Sequence, residues 1–360
     1  MKKIFIIWGL AFGFGITLGL SACSAFPKSD PDPTPTPVIP LQPESSLPES
    51  ESLIPTPTQL PPLRFVIPTP GAEPISDWRP PLYPIPWAIS PYDHFYFARP
   101  IAANEISWPL ASYLYGGMFF GNVVHTGIDI PTDKGTPIIA AGPGTVVWAN
   151  WGFFSGWVEN ENDPYGQAVA IKHDFGYQGQ PLYTVYAHMS RIDVTRGQWV
   201  DTGDQLGLVG ATGHTTGPHL HFEVRVSEND FFYTYNPELW IAPPQGWGVL
   251  AGRVVDEKGS PLNHYLLRVR SYESEQIRWV RSYGPRVVNR DDYYQENLVL
   301  SNLPAGWYEL HIDIEREEYQ YQIQIFPGQV SYFTFKGLEG FDSILPENPG
   351  MEGLTPLPDN

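Results

Sequence analysis

The sequence predicts an all-β protein, an antiparallel β domain followed by a smaller β-sandwich. Three observations carry that reading. Short apolar runs at 136–142, 144–149 and 167–172 alternate with Gly, Pro, Asn and Asp turns. The segment 218–225, PHLHFEVR, alternates polar and apolar side chains with the period of a half-buried strand. Past residue 246, roughly seven further runs recur at the even spacing of a sandwich.

The elements follow in order. Residues 1–22 read as a signal peptide: Lys2 and Lys3 precede an apolar stretch that ends in Leu-Ser-Ala-Cys. That ending resembles a bacterial lipobox, which implies cleavage before Cys23 and lipidation of its thiol. Cys23 is the only cysteine of the chain, so no disulfide framework competes for it. A lipid there implies a membrane anchor and an extracytoplasmic location. Residues 23–81 are Pro-rich with little apolar patterning and are expected to form a disordered tether. At ~3.1 Å per residue the part from Pro27 onward reaches about 170 Å when extended. Residues 82–119 carry many aromatics, including Trp87, Tyr92, Phe95 and Phe97, and are expected to pack as a flank on the domain at 120–226. A connector with Pro243 and Pro244 covers 227–245, the sandwich 246–336, and a disordered tail 337–360. The Leu-Pro-Ala-Gly-x-Tyr signature at 303–308 resembles transthyretin-like, carboxypeptidase-regulatory sandwiches.

The formal net charge is −18, and loss of Lys2 and Lys3 with the signal makes it more acidic. Such a chain is a poor partner for nucleic acid, and no phosphate-cradling loop is evident.

Chemistry concentrates in three motifs, HTGID at 125–129, YAH at 186–188 and HLH at 219–221. On a strand, His219, His221 and Glu223 share one face, while Leu220, Phe222 and Val224 face a core. By the same alternation Thr184, Tyr186 and His188 are expected to face one way, and Val185 and Ala187 the other. An extended HTGID places His125 and Asp129 together, and its β-branched flanks, Gly127 and Pro131 disfavour a helix. A catalytic zinc takes three His, Asp or Glu ligands and leaves a position for water. Four histidines and an aspartate exceed that number, so the surplus is free for proton transfer or charge stabilisation.

Residues 120–226 resemble the lysostaphin/LytM-type zinc endopeptidases of bacterial cell walls. The likeness rests on HxxxD, YAH, the Gly-rich block 206–213 and HxH, in that order. It implies a compact antiparallel fold of the duplicated hybrid motif kind, with a central groove. It implies a Zn2+ cofactor bound by His125, Asp129 and His221, with His188 and His219 as catalytic histidines. The implied substrate is an amide bond in peptidoglycan peptides or cross-bridges, and a monomer is expected. Substrate-binding residues are not assigned. A silent or gated wall-binding lipoprotein that regulates other wall hydrolases is the rival reading; the complete set of site residues favours the enzyme. The 151–165 loop is read as a groove wall, His173 as a structural hydrogen-bonding residue, and Glu223 as a support for the ligands.

Overall fold

The computed structural model describes residues 81–102, 111–118, 123–284 and 288–346, all within one compact unit. The expected signal peptide, Cys23 and the tether up to residue 80 lie outside the described residues, as do Trp108 and Phe119 of the flank.

The site-bearing half is a nine-stranded antiparallel sheet. Its strands are β1 (Ile128–Pro131), β2 (Pro137–Ile139), β3 (Gly144–Asn150), β4 (Gln167–Tyr177), β5 (Gln180–Ile192), β6 (Trp199–Val200), β7 (Gln205–Val209), β8 (His219–Val226) and β9 (Thr234–Tyr235). The main order is β1-β8-β5-β4-β3-β6; β7 pairs with β5 and β2, and β9 with β8. The long β4–β5 hairpin closes through Gln178 and Gly179, both at positive φ, between the paired Tyr177 and Gln180. That two-residue turn twists with its strands. Leu220, Phe222 and Val224 of β8 enter the main core with Phe97, Ile138 and Tyr186, as the alternation of HLHFEV requires.

One expectation about facing is corrected. Tyr186 pairs with Phe222 and packs against its ring, so it faces the core. Its hydroxyl there accepts from Ala141 N and Thr184 Oγ1. His188 does not share that face. The β4–β5 register slips between the Val169–Tyr186 and Gln167–Met189 pairs, and His188 sits in the slip at φ 60. The bulge turns its side chain toward the face of Ala187 and His221.

The second half forms two four-stranded sheets, as a sandwich should. Its strands are β10 (Trp247–Val255), β11 (Leu266–Ser271), β12 (Ile277–Arg281), β13 (Leu298–Pro304), β14 (Gly306–Ile314), β15 (Glu317–Ile325), β16 (Val330–Lys336) and β17 (Phe341–Asp342). The orders are β13-β10-β16-β17 and β12-β11-β14-β15, with β10 and β16 parallel. The Leu303–Tyr308 signature carries the chain from one sheet to the other, and Tyr308 Oη donates back to Pro304 O at 2.8 Å. The expected disordered tail is corrected at its start: Phe341 stacks on Tyr321, and β17 pairs with β16.

The halves share one core. Val249, Ala251, Val299 and Tyr332 of the sandwich lie in the same apolar cluster as Phe95, Phe97 and Trp240. The flank touches both sides: Phe97 bridges to Ile241, and Trp87 Nε1 donates to Gly328 O at 2.9 Å. The expected connector contributes β9 to the large sheet, and its Glu238 accepts from Ser301 N in β13.

Candidate metal centre and groove

β1 and β8 build the centre. Their register sets Asp129 opposite His221 and Pro131 opposite His219. His125 arrives from the segment ahead of β1, where its N–H donates to Gly117 O and its carbonyl accepts from Gly116 N, both at 2.8 Å. The chain then bends at Gly127. A Cβ there would stand 2.4 Å from the Phe222 carbonyl oxygen, so only glycine allows this approach to β8.

His125 Nε2 lies 2.9 Å from Asp129 Oδ1 and 2.9 Å from His221 Nδ1; the last two atoms are 3.0 Å apart. All three residues are buried. The far side of each imidazole is tied. His125 Nδ1 lies 3.0 Å from Leu114 O and donates to it, which leaves Nε2 a lone pair. His221 Nε2 donates to Glu223 Oε1 at 3.0 Å, which leaves Nδ1 a lone pair. Two imidazole lone pairs and a carboxylate oxygen therefore converge on one point. This donor set calls for a cation.

The electrostatics agree. Burial opposes a charge on Asp129, but His125 and His221 outweigh it and hold the carboxyl well below the carboxylate range. Burial likewise opposes protonation of His221, but hydrogen bonds to Asp129 and Glu223 push it up to about 9. The pair of carboxylates thus demands positive charge at this position, which a proton or a metal ion can supply.

Behind His221, Glu223 is fully buried. It accepts from Thr126 Oγ1 at 2.6 Å, Tyr165 Oη at 2.7 Å and Arg225 Nε at 2.8 Å. Burial disfavours its charge, yet Arg225 and His221 keep its carboxyl well below the usual range. The Arg225 guanidinium is capped by the Phe153 ring, 4.9 Å from its centroid.

His188 and His219 stand beside the triad with ring centroids 4.8 Å apart. His188 Nδ1 donates to Thr212 O and His219 Nδ1 to Gly217 O, each at 2.8 Å. Both therefore present an unprotonated Nε2, and that of His219 is 3.5 Å from Asp129 Oδ1. Burial, then the neighbouring His221 and His219, lowers His188 to about 3. Burial also lowers His219. Burial thus favours the neutral form of both rings.

These residues floor a groove of about 600 Å³ whose walls include Tyr113, Val123, Phe154, Phe231 and Thr216. Buried Asp163 folds the 151–165 loop by accepting from the N–H groups of Phe154, Ser155 and Tyr165. Of the loop aromatics, Phe154 and Tyr165 line the groove; Phe153 supports Arg225, and Trp157 is 66% exposed away from the lining. Tyr113 and Phe231 carried no motif that marks them in sequence. His173 binds Pro143 O and Thr184 Oγ1 within the core, where burial lowers it to about 4. His214 is exposed on the groove wall.

The model for Peptidase family M23 matches residues 123–232 of this chain. The DD-carboxypeptidase/endopeptidase Mpg of Neisseria meningitidis is 36% identical over 129 residues, 36% of this chain and 26% of that protein. The peptidoglycan DD-endopeptidase ShyA of Vibrio cholerae is 40% identical over 103 residues, 28% of this chain and 20% of that protein. The match thus spans about a quarter of the length of these curated relatives. Among solved structures, the catalytic domain of lysostaphin from Staphylococcus simulans is 29% identical, covers 35% of this chain and 86% of its own, and has a TM-score of 0.30.

Proposed function

We propose that this M23 domain is a zinc-dependent endopeptidase that hydrolyses amide bonds in peptidoglycan peptides or cross-bridges. We further propose that lipid on Cys23 holds it at the outer side of a membrane, and that it works as a monomer. The observation that carries the reading is the convergence of His125 Nε2, Asp129 Oδ1 and His221 Nδ1 beneath an open groove, with two neutral imidazoles alongside. The name of the Vibrio relative supplies the substrate class, and that of the Neisseria relative agrees in naming an endopeptidase.

Zinc, when bound, supplies Lewis acidity toward a water and the scissile carbonyl. His125, Asp129 and His221 would hold it, with Glu223 fixing the His221 tautomer. His188 and His219 each keep an unprotonated Nε2 beside these residues. One accepts the proton of the attacking water; the other stabilises the developing oxyanion or passes a proton to the leaving amine. The apolar walls, Phe154 and Phe231 among them, limit water around the peptide.

The test is incubation of the mature chain with purified peptidoglycan, with and without a chelator, and mass spectrometry of new amino termini. Chelator-sensitive termini are expected. His188→Ala is expected to keep its metal and lose at least about a hundredfold in turnover. His221→Ala and Asp129→Ala are expected to lose the metal. Bound zinc with no new termini on several wall types would leave a wall-binding lipoprotein instead.

A further inference from the structure

We propose that the outward face of the β12-β11-β14-β15 sheet binds an uncharged, hydroxyl-rich glycan strand. The inward face of this sheet is satisfied: Leu267, Val269, Val280, Leu310 and Ile312 are buried in the sandwich core. The outward face nevertheless carries Trp279 at 48% exposure and Trp307 at 49%. Tyr272, directly after β11, is 38% exposed, and its N–H donates to Trp307 O. Large aromatic rings displayed together on the solvent side of a sheet mark a contact surface.

The side chains between the rings hold one another in place. Gln322 Nε2 donates to Tyr272 Oη at 2.9 Å, and Arg268 donates to Glu309 Oε1 at 3.2 Å. Arg270 pairs with Glu275 at 2.6 Å. The result is a row of amide, phenol, guanidinium and carboxylate groups flanked by flat apolar rings. A sugar matches both parts, with C–H faces for the rings and a rim of hydroxyls for the row.

Charge selects among occupants. Arg268 and Arg270 are neutralised by Glu309 and Glu275 on the same face, and Asp313 and Glu318 add exposed carboxylates beside His311, so the face offers no net positive charge to an anionic polymer or an anionic membrane. Burial under a second copy of the chain would strip water from those ion pairs. Dimensions agree as well. In the strand register Trp279 lies opposite Arg268 and His311, four residues along β14 from Trp307. Strand rise and spacing then separate the two indoles by ~17 Å, the span of a short oligosaccharide.

One edge of the sheet also lies near the groove. Its edge strand β12 packs against residues 111–113, and Tyr113 lines the groove wall. A glycan on this face would carry its stem peptides to the groove mouth. Glycan binding itself is independent of the endopeptidase reading; delivery of the peptide rests on it.

The test titrates the full chain with a hexamer of β-1,4-linked N-acetylglucosamine, read by tryptophan fluorescence and calorimetry. Saturable binding is expected. Trp279→Ala and Trp307→Ala should each weaken it about tenfold, with thermal unfolding to check the fold. Leu338→Ala, also exposed, should bind as the parent does. No binding by the parent chain, or binding untouched by both tryptophan changes, would overturn the proposal. So would loss in those variants of binding to glycan-free stem peptide, of binding to vesicles of anionic lipid, or of self-association in sedimentation, with hexamer binding kept. Binding is read without turnover, so a failure of the endopeptidase reading remains distinguishable.

Discussion

Glu223 lies one strand step beyond His221, and its side chain is closed off from solvent. Its Oε1 takes bonds from His221, Thr126 and Tyr165, and Arg225 balances its charge. A fully buried carboxylate so heavily bonded serves orientation: it fixes which His221 nitrogen faces the centre. Glu223→Gln keeps the size but offers an amide that can donate to His221 Nε2 and reverse the tautomer. Metal affinity should then fall about 10–100-fold, measured by competition with a chromogenic chelator. An unchanged affinity would leave Glu223 a purely structural residue. At this scale the sequence was legible where residue type and spacing suffice, as for His125, Asp129, His219 and His221. The YAH motif marked His188 as well, but its facing was not legible, because a one-residue bulge depends on the partner strands and leaves no mark in local alternation. Tyr113 was equally hidden, since its place on the groove comes from a long-range contact with Thr216.

Strands depend on the same logic one level up. HLHFEV declares both faces of β8, because one face meets a core and the other a polar site. IRWVR of β12 does not, since its outward Ile277 and Trp279 are exposed and break the polar-out pattern. β9 and β17 have two residues each and owe their existence to a neighbour's free edge. The junction of HTGID with β8 shows an element held by one small residue. Gly127 sits where a Cβ would meet Phe222 O at 2.4 Å and the Glu223 side chain at 2.9 Å. Gly127→Ala must push β1 from β8 and move Asp129 and His125 out of register with His221. The expected cost is about 2 kcal/mol or more in unfolding stability, with a loss of metal affinity in parallel. Denaturant melts of metal-free and metal-loaded chain separate the two; a variant with parental melts and affinity would show that the bend relaxes freely.

For the whole molecule, the sequence suggested two β modules joined by a connector, whereas the halves share an apolar cluster. Composition reveals that the flank aromatics want burial but not against which partner. Phe97 lies on Trp240, while Tyr92 stacks on Tyr293 and Tyr294 Oη donates to Asp93. Glu238 is a polar contact across this junction. Its Oε1 accepts from Ser301 N at 2.9 Å and Ser301 Oγ at 2.8 Å, and its Oε2 has no partner among the described residues. Burial pushes its pKa up to about 7. A folded pKa above the unfolded one means that the favourable contribution is fully present below the ordinary carboxylate pKa of about 4.3 and is lost as pH rises toward 7. Above that pH the loss is complete, on the order of 3 kcal/mol. Glu238→Gln retains the Oε1 acceptor and cannot ionise. It should be more stable than the parent at pH 8, and the gap should shrink as the pH is lowered to 5. Urea melts of both proteins at the two pH values, with equal metal loading, read the difference directly. Because the cores merge, each melt should show one transition for both halves. A gap of equal size at pH 5 and pH 8 would trace the gain to packing and not to ionisation. Two separate transitions would mean that the shared cluster does not couple the halves.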